Sequence, residues 1–306
     1  MVTNEELNDR REPGCSIVLA DKKYFHVGNW FMKRTLRQHE WQSVANGITI
    51  IPPTTYPQRW KTDAAILRFL RQKTNIPLPR SECTFEDDGA FYFQSEYVEG
   101  VSMKELTEKE KDVVMQELED HVATLRRLRS DTPGVPGESF MCPPQRVTSN
   151  GWKLDSCWRP YKEKGDYVFC HNDLGQHNVI VDPGTLRIKA IIDWEFGGFW
   201  PEWFERPFWK RPGPSVALEG EEDDVQRCRD WLTTHCAEVI MPATRTWPKN
   251  QYQDLSLYTL AVSMSFWACR RMSVIDSYSP SSGFFHLSPF GKTFLLSLLT
   301  QGINGL

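Results

Sequence analysis

The sequence predicts an α+β chain of two unequal parts: a small strand-rich part with one helix, then a larger helical part built around a β-hairpin. Short runs of β-branched and aromatic residues, broken by Gly and Pro, crowd the first hundred or so positions. A helical period sets in after residue 107. Residues 167–195, YVFCHNDLGQHNVIVDPGTLRIKAIIDWE, alternate strand, polar loop, strand, tight turn and strand. The division falls at a strand end, giving parts 1–98 and 99–306.

Residues 1–14 are charged, expected to be flexible, and lack the apolar stretch of a signal peptide. Residues 16–19 and 24–33 read as strands, the second ending on Lys33. Pro52, Pro53 and Pro57 make 46–60 a loop. A helix is expected over 62–73, with Ala65, Leu67, Phe69 and Leu70 free to pack, stopping before Ile76-Pro77-Leu78-Pro79. Residues 90–98 form a strand that Glu99-Gly100 ends. Thr107-Glu108-Lys109-Glu110 is a capping box opening a helix to about 129, with Val114, Leu118, Val122, Leu125 and Leu128 on one face. Residues 130–150 are a Pro-, Gly- and Ser-rich loop.

Beyond 193 the chain is crowded with aromatics: Trp194, Phe196, Phe199, Trp200, Trp203, Phe204, Phe208 and Trp209. They read as core, or alternatively as a box for a cationic ligand, with Glu202 and Glu205 candidates to face a substrate. The five acids in 219–224 read as a solvated cap for the next helix, the alternative being an acidic lip for an amine. Further helices are expected at 224–240, 254–272 and 289–300.

With 36 basic and 40 acidic residues and no basic block interleaved with aromatics, nothing points to a nucleic-acid surface. The eight cysteines, with no C-x-x-C, read as reduced, buried thiols of a cytoplasmic protein. Cys228, His235 and Cys236 read as a helix-spaced set before a metal cluster. The apolar stretch 255–268 contains serines and is short of the roughly 20 residues a membrane span needs. No protein partner is implied.

The chemistry concentrates in His171-x-Asp173-x-x-x-x-Asn178 and the Asp193 that ends the hairpin. Phosphoryl transfer needs a carboxylate against the acceptor hydroxyl and oxygen ligands for magnesium. Asp173 is placed as the base, Asn178 and Asp193 as Mg2+ ligands, and His171 as a brace for the loop.

On CHNDLGQHNVIVD and IIDWE, with FLRQKTNIPLPR (69–80) and SEYVEGVSM (95–103), the chain resembles the aminoglycoside phosphotransferase and choline kinase family. These are small-molecule relatives of protein kinases, and the likeness covers about 30–216, nearest to fungal members whose acceptors are often unassigned. It implies a protein-kinase-like, two-lobed fold, ATP and Mg2+ as cofactors, and a small-molecule hydroxyl as acceptor. It also implies that Lys33 meets the α- and β-phosphates and that Asp63 replaces the glutamate pairing with that lysine, one methylene shorter. The backbone of Glu96, Tyr97 and Val98 is the implied adenine-binding hinge. Read without the family, Lys33 faces water and Asp63 is an ordinary acid in a first helical turn.

No G-x-G-x-x-G precedes Lys33, since Gly14 and Gly28 stand alone, so the phosphate-covering loop is absent or rebuilt. That departure supports one alternative, a degenerate kinase-fold protein that binds nucleotide or a partner without turnover. A choline- or ethanolamine-type kinase rests on the aromatic cluster. A protein kinase is disfavoured because no Ala-Pro-Glu-like signature follows Trp194.

Overall fold

The computed structural model describes residues 2–43, 47–80, 82–161 and 164–242. The helices expected at 254–272 and 289–300, Cys269 and the stretch 255–268 lie outside them.

The fold is α+β. In the stretch expected to be flexible, Thr3 caps a short helix α1 (Asn4–Asp9), its hydroxyl accepting the Glu6 N–H. An antiparallel sheet follows, made of β1 (Cys15–Val18), β2 (Lys22–Val27), β3 (Trp30–Thr35), β4 (Glu82–Asp87) and β5 (Ala90–Glu96) in the order β1-β2-β3-β5-β4. The single strand expected over 24–33 is instead the β2–β3 hairpin, in which Val27 pairs with Trp30 around a two-residue turn. Gly28 takes the positive φ of 57° which that turn requires.

Pleating sorts the side chains of this sheet onto two faces. On one face, Lys23 and Arg34 are buried against the carboxylates of Glu12 and Glu40. The other face carries Lys22, Tyr24 and, opposite Tyr24, Lys33. Helix α2 (Tyr56–Lys73) covers it, with Trp60 stacked on Phe91 and Leu67 and Leu70 in the core. The helix starts six residues earlier than expected because Pro57 sits in its first turn, where the missing N–H costs nothing. Asp63 is therefore mid-helix, and no first-turn acid.

β5 ends at Glu96, short of the expected 98, because the Tyr97 N–H leaves the ladder for the Asn29 carbonyl at 2.8 Å. Next comes β6 (Val101–Ser102), where Gly100 lets the backbone pass close: a Cβ there would lie 2.6 Å from the Val181 carbonyl. Helix α3 (Glu108–Arg127) carries the expected capping box, the Glu110 carboxylate accepting from the Thr107 N–H at 2.8 Å. Its buried Val114, Leu118, Val122 and Leu125 pack into the main core.

β7 (Arg129–Ser130), β8 (Ser156–Pro160) and β9 (Tyr167–Cys170) lead to the loop, and β10 (Val179–Val181) and β11 (Ile188–Ile191) form the hairpin. The third strand starts two residues late because Leu186, at φ 56°, still belongs to the turn. There the Asp182 carboxylate accepts the Gly184 and Thr185 N–H groups. β12 (Gly198–Trp200) pairs with β9, which also pairs with β7.

Helix α4 (Val225–His235) is shorter than expected, since Cys236 turns extended and begins β13 (Cys236–Ile240), the partner of β8. Beyond residue 98 the described residues hold eight short strands besides the two α-helices. The aromatic segment is core: Trp194, Phe196, Trp200, Phe204, Phe208 and Trp209 are buried, and Trp203 covers Arg227. Among the described residues no group of His, Cys, Asp and Glu could hold a metal in the manner of a cluster, and no helix is long and apolar enough to cross a membrane. All seven described cysteines are free thiols; Cys15 is half-buried and Cys83 exposed, contrary to the expectation of uniform burial.

Candidate active site

β9 delivers the chain to the loop 171–178, and the hairpin returns it at Asp193. The loop is fastened from several directions. The buried His171 ring donates from Nε2 to the Ile192 carbonyl at 3.0 Å and accepts the Asp173 N–H at Nδ1 at 3.2 Å. Burial lowers its pKa to about 4, so the ring is neutral and fits these roles. The Asn178 Nδ2 donates to the Asp173 carbonyl at 2.8 Å and reaches its carboxylate at 3.4 Å. Asn172 and Asp193 hold φ of 69° and 68°, left-handed conformations that Asn and Asp tolerate better than most residues.

The sheet brings the remaining predicted residues to the same place. Lys33 Nζ is 2.5 Å from Asp193 Oδ1 and 3.4 Å from Asp63 Oδ2. Lys33 is buried, which excludes the reading in which it faces water. Burial opposes its charge, but the two carboxylates hold its pKa well above the ordinary lysine value. Burial also works against the Asp193 carboxylate, and Lys33 overrides it, holding that pKa below the ordinary range. One ammonium shared between two acids favours the nearer one. Asp63 is left the less compensated, and burial pushes it up to about 7. Burial raises Asp173 as well, with His177 opposing.

The hinge residues are partly engaged. The Glu96 carboxylate accepts the Arg80 N–H at 2.7 Å, and the Tyr97 ring stacks on His26 at 3.7 Å. Since the Tyr97 N–H is donated to Asn29, a nucleotide could use it only by breaking that bond.

The sequence reading missed several residues. Lys22 lies on the Lys33 face of the sheet, its Nζ 3.0 Å from the Tyr56 hydroxyl, and its charge helps lower Asp193. Strand alternation from Tyr24 is the signal that would have found it. The β1–β2 turn above it, Leu19-Ala20-Asp21, is buried and contains no glycine. Arg59 forms a buried ion pair with Glu195, two residues past Asp193. Arg146, also buried, donates to the Asn172 carbonyl at 3.1 Å and the Phe204 carbonyl at 2.7 Å, and to both Asp224 oxygens at 3.0 Å.

The acids considered for a substrate role are otherwise committed. Buried Glu205 accepts the His171 and Asn172 N–H groups. Glu202 meets Arg126, Glu221 meets Arg211, and Glu222 meets Arg206, so the acidic stretch is largely neutralised in place.

Glu205 carries a pH signature. Burial pushes its pKa from 4.5 up to about 7 against the two amide hydrogens. The folded state therefore holds the proton more tightly than the unfolded chain. This contribution to stability is complete below about pH 4.5 and is lost as pH rises through about 7, with an upper limit of roughly 3 kcal/mol. Glu205→Gln keeps an acceptor oxygen and does not titrate, so its Tm should fall less than that of the parent between pH 5 and 8. Parallel Tm–pH profiles for the two proteins would contradict this.

A lysine held between two carboxylates, beside a buried carboxylate and an amide, is the set of groups that phosphoryl transfer draws on. Accordingly, residues 152–205, which include Asp173, Asn178, Asp193 and Glu205, match the family model described as the phosphotransferase enzyme family. More particularly, the chain resembles the aminoglycoside phosphotransferases. An aminoglycoside 3'-phosphotransferase of Streptomyces fradiae is 29% identical over 138 residues, covering 39% of this chain and 52% of that protein. The chain thus spans about half the length of this curated relative. Among solved structures, aminoglycoside phosphotransferase APH(3'')-Id from Streptomyces rimosus in complex with ADP and streptomycin aligns at 14% identity and TM-score 0.41, covering 85% of this chain and 96% of that one. An aminoglycoside-3'-phosphotransferase of type VIII aligns at 16% identity and TM-score 0.37, covering 85% and 97%.

Proposed function

We propose that this protein is a phosphotransferase that moves the terminal phosphoryl group of ATP to a hydroxyl of a small molecule. The observation that carries this is that the hydrogen-bonded pair Asp173–Asn178 and the ion-paired set Lys33, Asp63 and Asp193 meet, the Asn178 carbonyl accepting the N–H of Ile192, the neighbour of Asp193, at 3.0 Å. In this reading Asp173 receives the acceptor's proton, and its raised pKa makes it the stronger base. Neutral His171 and the Asn178 amide hold it in place. Lys33, with Lys22 on the same face of the sheet, supplies positive charge to the phosphates, in part replacing a glycine-rich roof. The backbone at Glu96, Tyr97 and Val98 is proposed to receive adenine.

The donor set suits magnesium. With Nδ2 committed to Asp173, Asn178 has its amide oxygen to offer, and the Asp193 carboxylate already holds a cation in the form of the Lys33 ammonium. Bound there, Mg2+ would neutralise phosphate charge.

The acceptor is proposed only as a hydroxylated small molecule. Amino sugars stand first in a screen because of the relative's name, followed by amino alcohols. The buried aromatics offer no open box for a quaternary ammonium group. The second reading, a binder without turnover, draws on the glycine-free turn at Leu19-Ala20-Asp21.

Thermal shift with ATP, with and without magnesium, followed by an ATP-consumption screen over these acceptors, separates the two. At a hundredfold excess over Kd, Mg·ATP should add about 2.7 kcal/mol, a Tm rise of several degrees. Asp193→Ala should lose the magnesium-dependent part of that rise. Binding with no consumption under any acceptor would favour the scaffold, and no binding would end the phosphotransferase reading and the nucleotide-binding form of the second.

A further inference from the structure

Asp173 is buried, and one of the side chains that face it comes from the segment after the aromatic cluster. The loop is tied to the following segment where Gln176 Nε2 donates to the Trp209 carbonyl at 3.0 Å. From there residues 211–218 form a strap whose shape is set by one side chain. Arg211 donates to the Pro214 carbonyl at 3.0 Å and the Val216 carbonyl at 2.6 Å, and its guanidinium is clamped by Glu221 at 2.5 and 2.7 Å. Glu221 also accepts the Leu218 N–H at 3.0 Å. Gly213, at φ 121°, gives the bend.

This clamp carries Ser215 inward. Its Oγ is out of solvent, where a hydroxyl needs a polar neighbour, and the one it faces is the Asp173 carboxylate. It lies against the catalytic loop, only 3.3 Å from where a side chain on Gly175 would begin. It also faces the Asp173 carboxylate closely enough to help hold that group's pKa down. A buried hydroxyl aimed at the base is the arrangement the base requires of its acceptor.

We propose, resting on the phosphotransferase reading, that Ser215 is an internal phosphoryl acceptor and thus a modification site. With no outside acceptor bound, Ser215 Oγ attacks the terminal phosphorus of ATP while Asp173 takes the hydroxyl proton. The bond from that phosphorus to the β–γ bridging oxygen breaks, and ADP leaves. The product, a phosphoserine beside the Asp173 and Asp193 carboxylates, is repelled by both and lifts the strap away from the loop.

The test begins without nucleotide. In Ser215→Cys the new thiol should be protected from a thiol reagent that labels exposed Cys83 at once; equal labelling would overturn the strap geometry. The full chain is then incubated with Mg·ATP alone, and peptides are mapped by mass spectrometry. One phosphoryl group is expected on Ser215, formed at a fractional rate independent of protein concentration. It should be absent in Asp173→Asn and Ser215→Ala, and found as phosphothreonine in Ser215→Thr. Unmodified Ser215 in a protein that binds Mg·ATP and releases ADP overturns the proposal alone. A rate proportional to protein concentration overturns its intramolecular form. Failure to bind Mg·ATP at all overturns the phosphotransferase reading, and this proposal with it.

Discussion

Asp173→Asn is expected to lower ATP-dependent turnover by about two to four powers of ten while leaving Mg·ATP binding within about threefold of the parent, the range a positioned general base supplies. The substitution is chosen for its shape. The Asp173 carbonyl, which accepts from Asn178 Nδ2 at 2.8 Å and from the Gly175 N–H at 2.8 Å, is untouched. An asparagine oxygen can replace the carboxylate oxygen that Asn178 reaches at 3.4 Å. Only proton acceptance is lost. Removing a buried group whose charge is disfavoured by burial should not weaken the fold, so Tm is expected to hold or rise slightly. Initial rates of ATP consumption and a nucleotide thermal shift, run side by side, decide it. A parental rate in the variant would remove Asp173 from the reaction.

The second large effect is on stability. Arg146→Met should cost about 3–5 kcal/mol, because it strands Asp224 as a buried, uncompensated charge and leaves the Asn172 and Phe204 carbonyls without a donor. Asp224 remains beside the Cys228 thiol at 3.7 Å, too weak a partner to replace a guanidinium. Arg146→Met with Asp224→Leu should recover much of the loss, since two apolar groups in place of a buried ion pair bring no desolvation cost. Urea midpoints for parent, single and double variants give the answer. A single variant within about 0.5 kcal/mol of the parent would mean that Arg146 does not clasp the loop as drawn.

The contrast between these residues shows what a sequence can disclose. Asp173 and Asn178 sit in one loop at fixed spacing, and the flanking strands read from their own composition. The Thr107–Glu110 cap was equally legible, because both partners lie within one turn. Arg146 and Asp224 are 78 positions apart, and Arg59 and Glu195 are 136 apart. No periodicity links such partners, and each alone looks like a solvated charge. Glu205 was noticed for its charge and misjudged for its direction: nothing local says that its carboxylate turns inward to two backbone N–H groups. Other misses were local and avoidable. Gly28-Asn29 is a hairpin-turn pair inside a stretch that reads as one strand, and Pro57 opens a helix instead of lengthening a loop.

The span between Lys33 and Asp193 also bears on how the protein is made. Lys33 and Asp63 are 30 residues apart, whereas Lys33 and Asp193 are separated by 160. A chain leaving the ribosome can close the first pair early, because the loop is short and the β2–β3 hairpin and α2 are both made by residue 73. Asp193 arrives only after more than half of the protein has been translated. Until then Lys33 has at most one of its two carboxylates to pair with, and neither the proposed base nor the proposed metal ligands are yet made. The proposed phosphoryl transfer would thereby be confined to molecules whose translation has passed the hairpin, and a half-made chain would be silent however well its first part had folded.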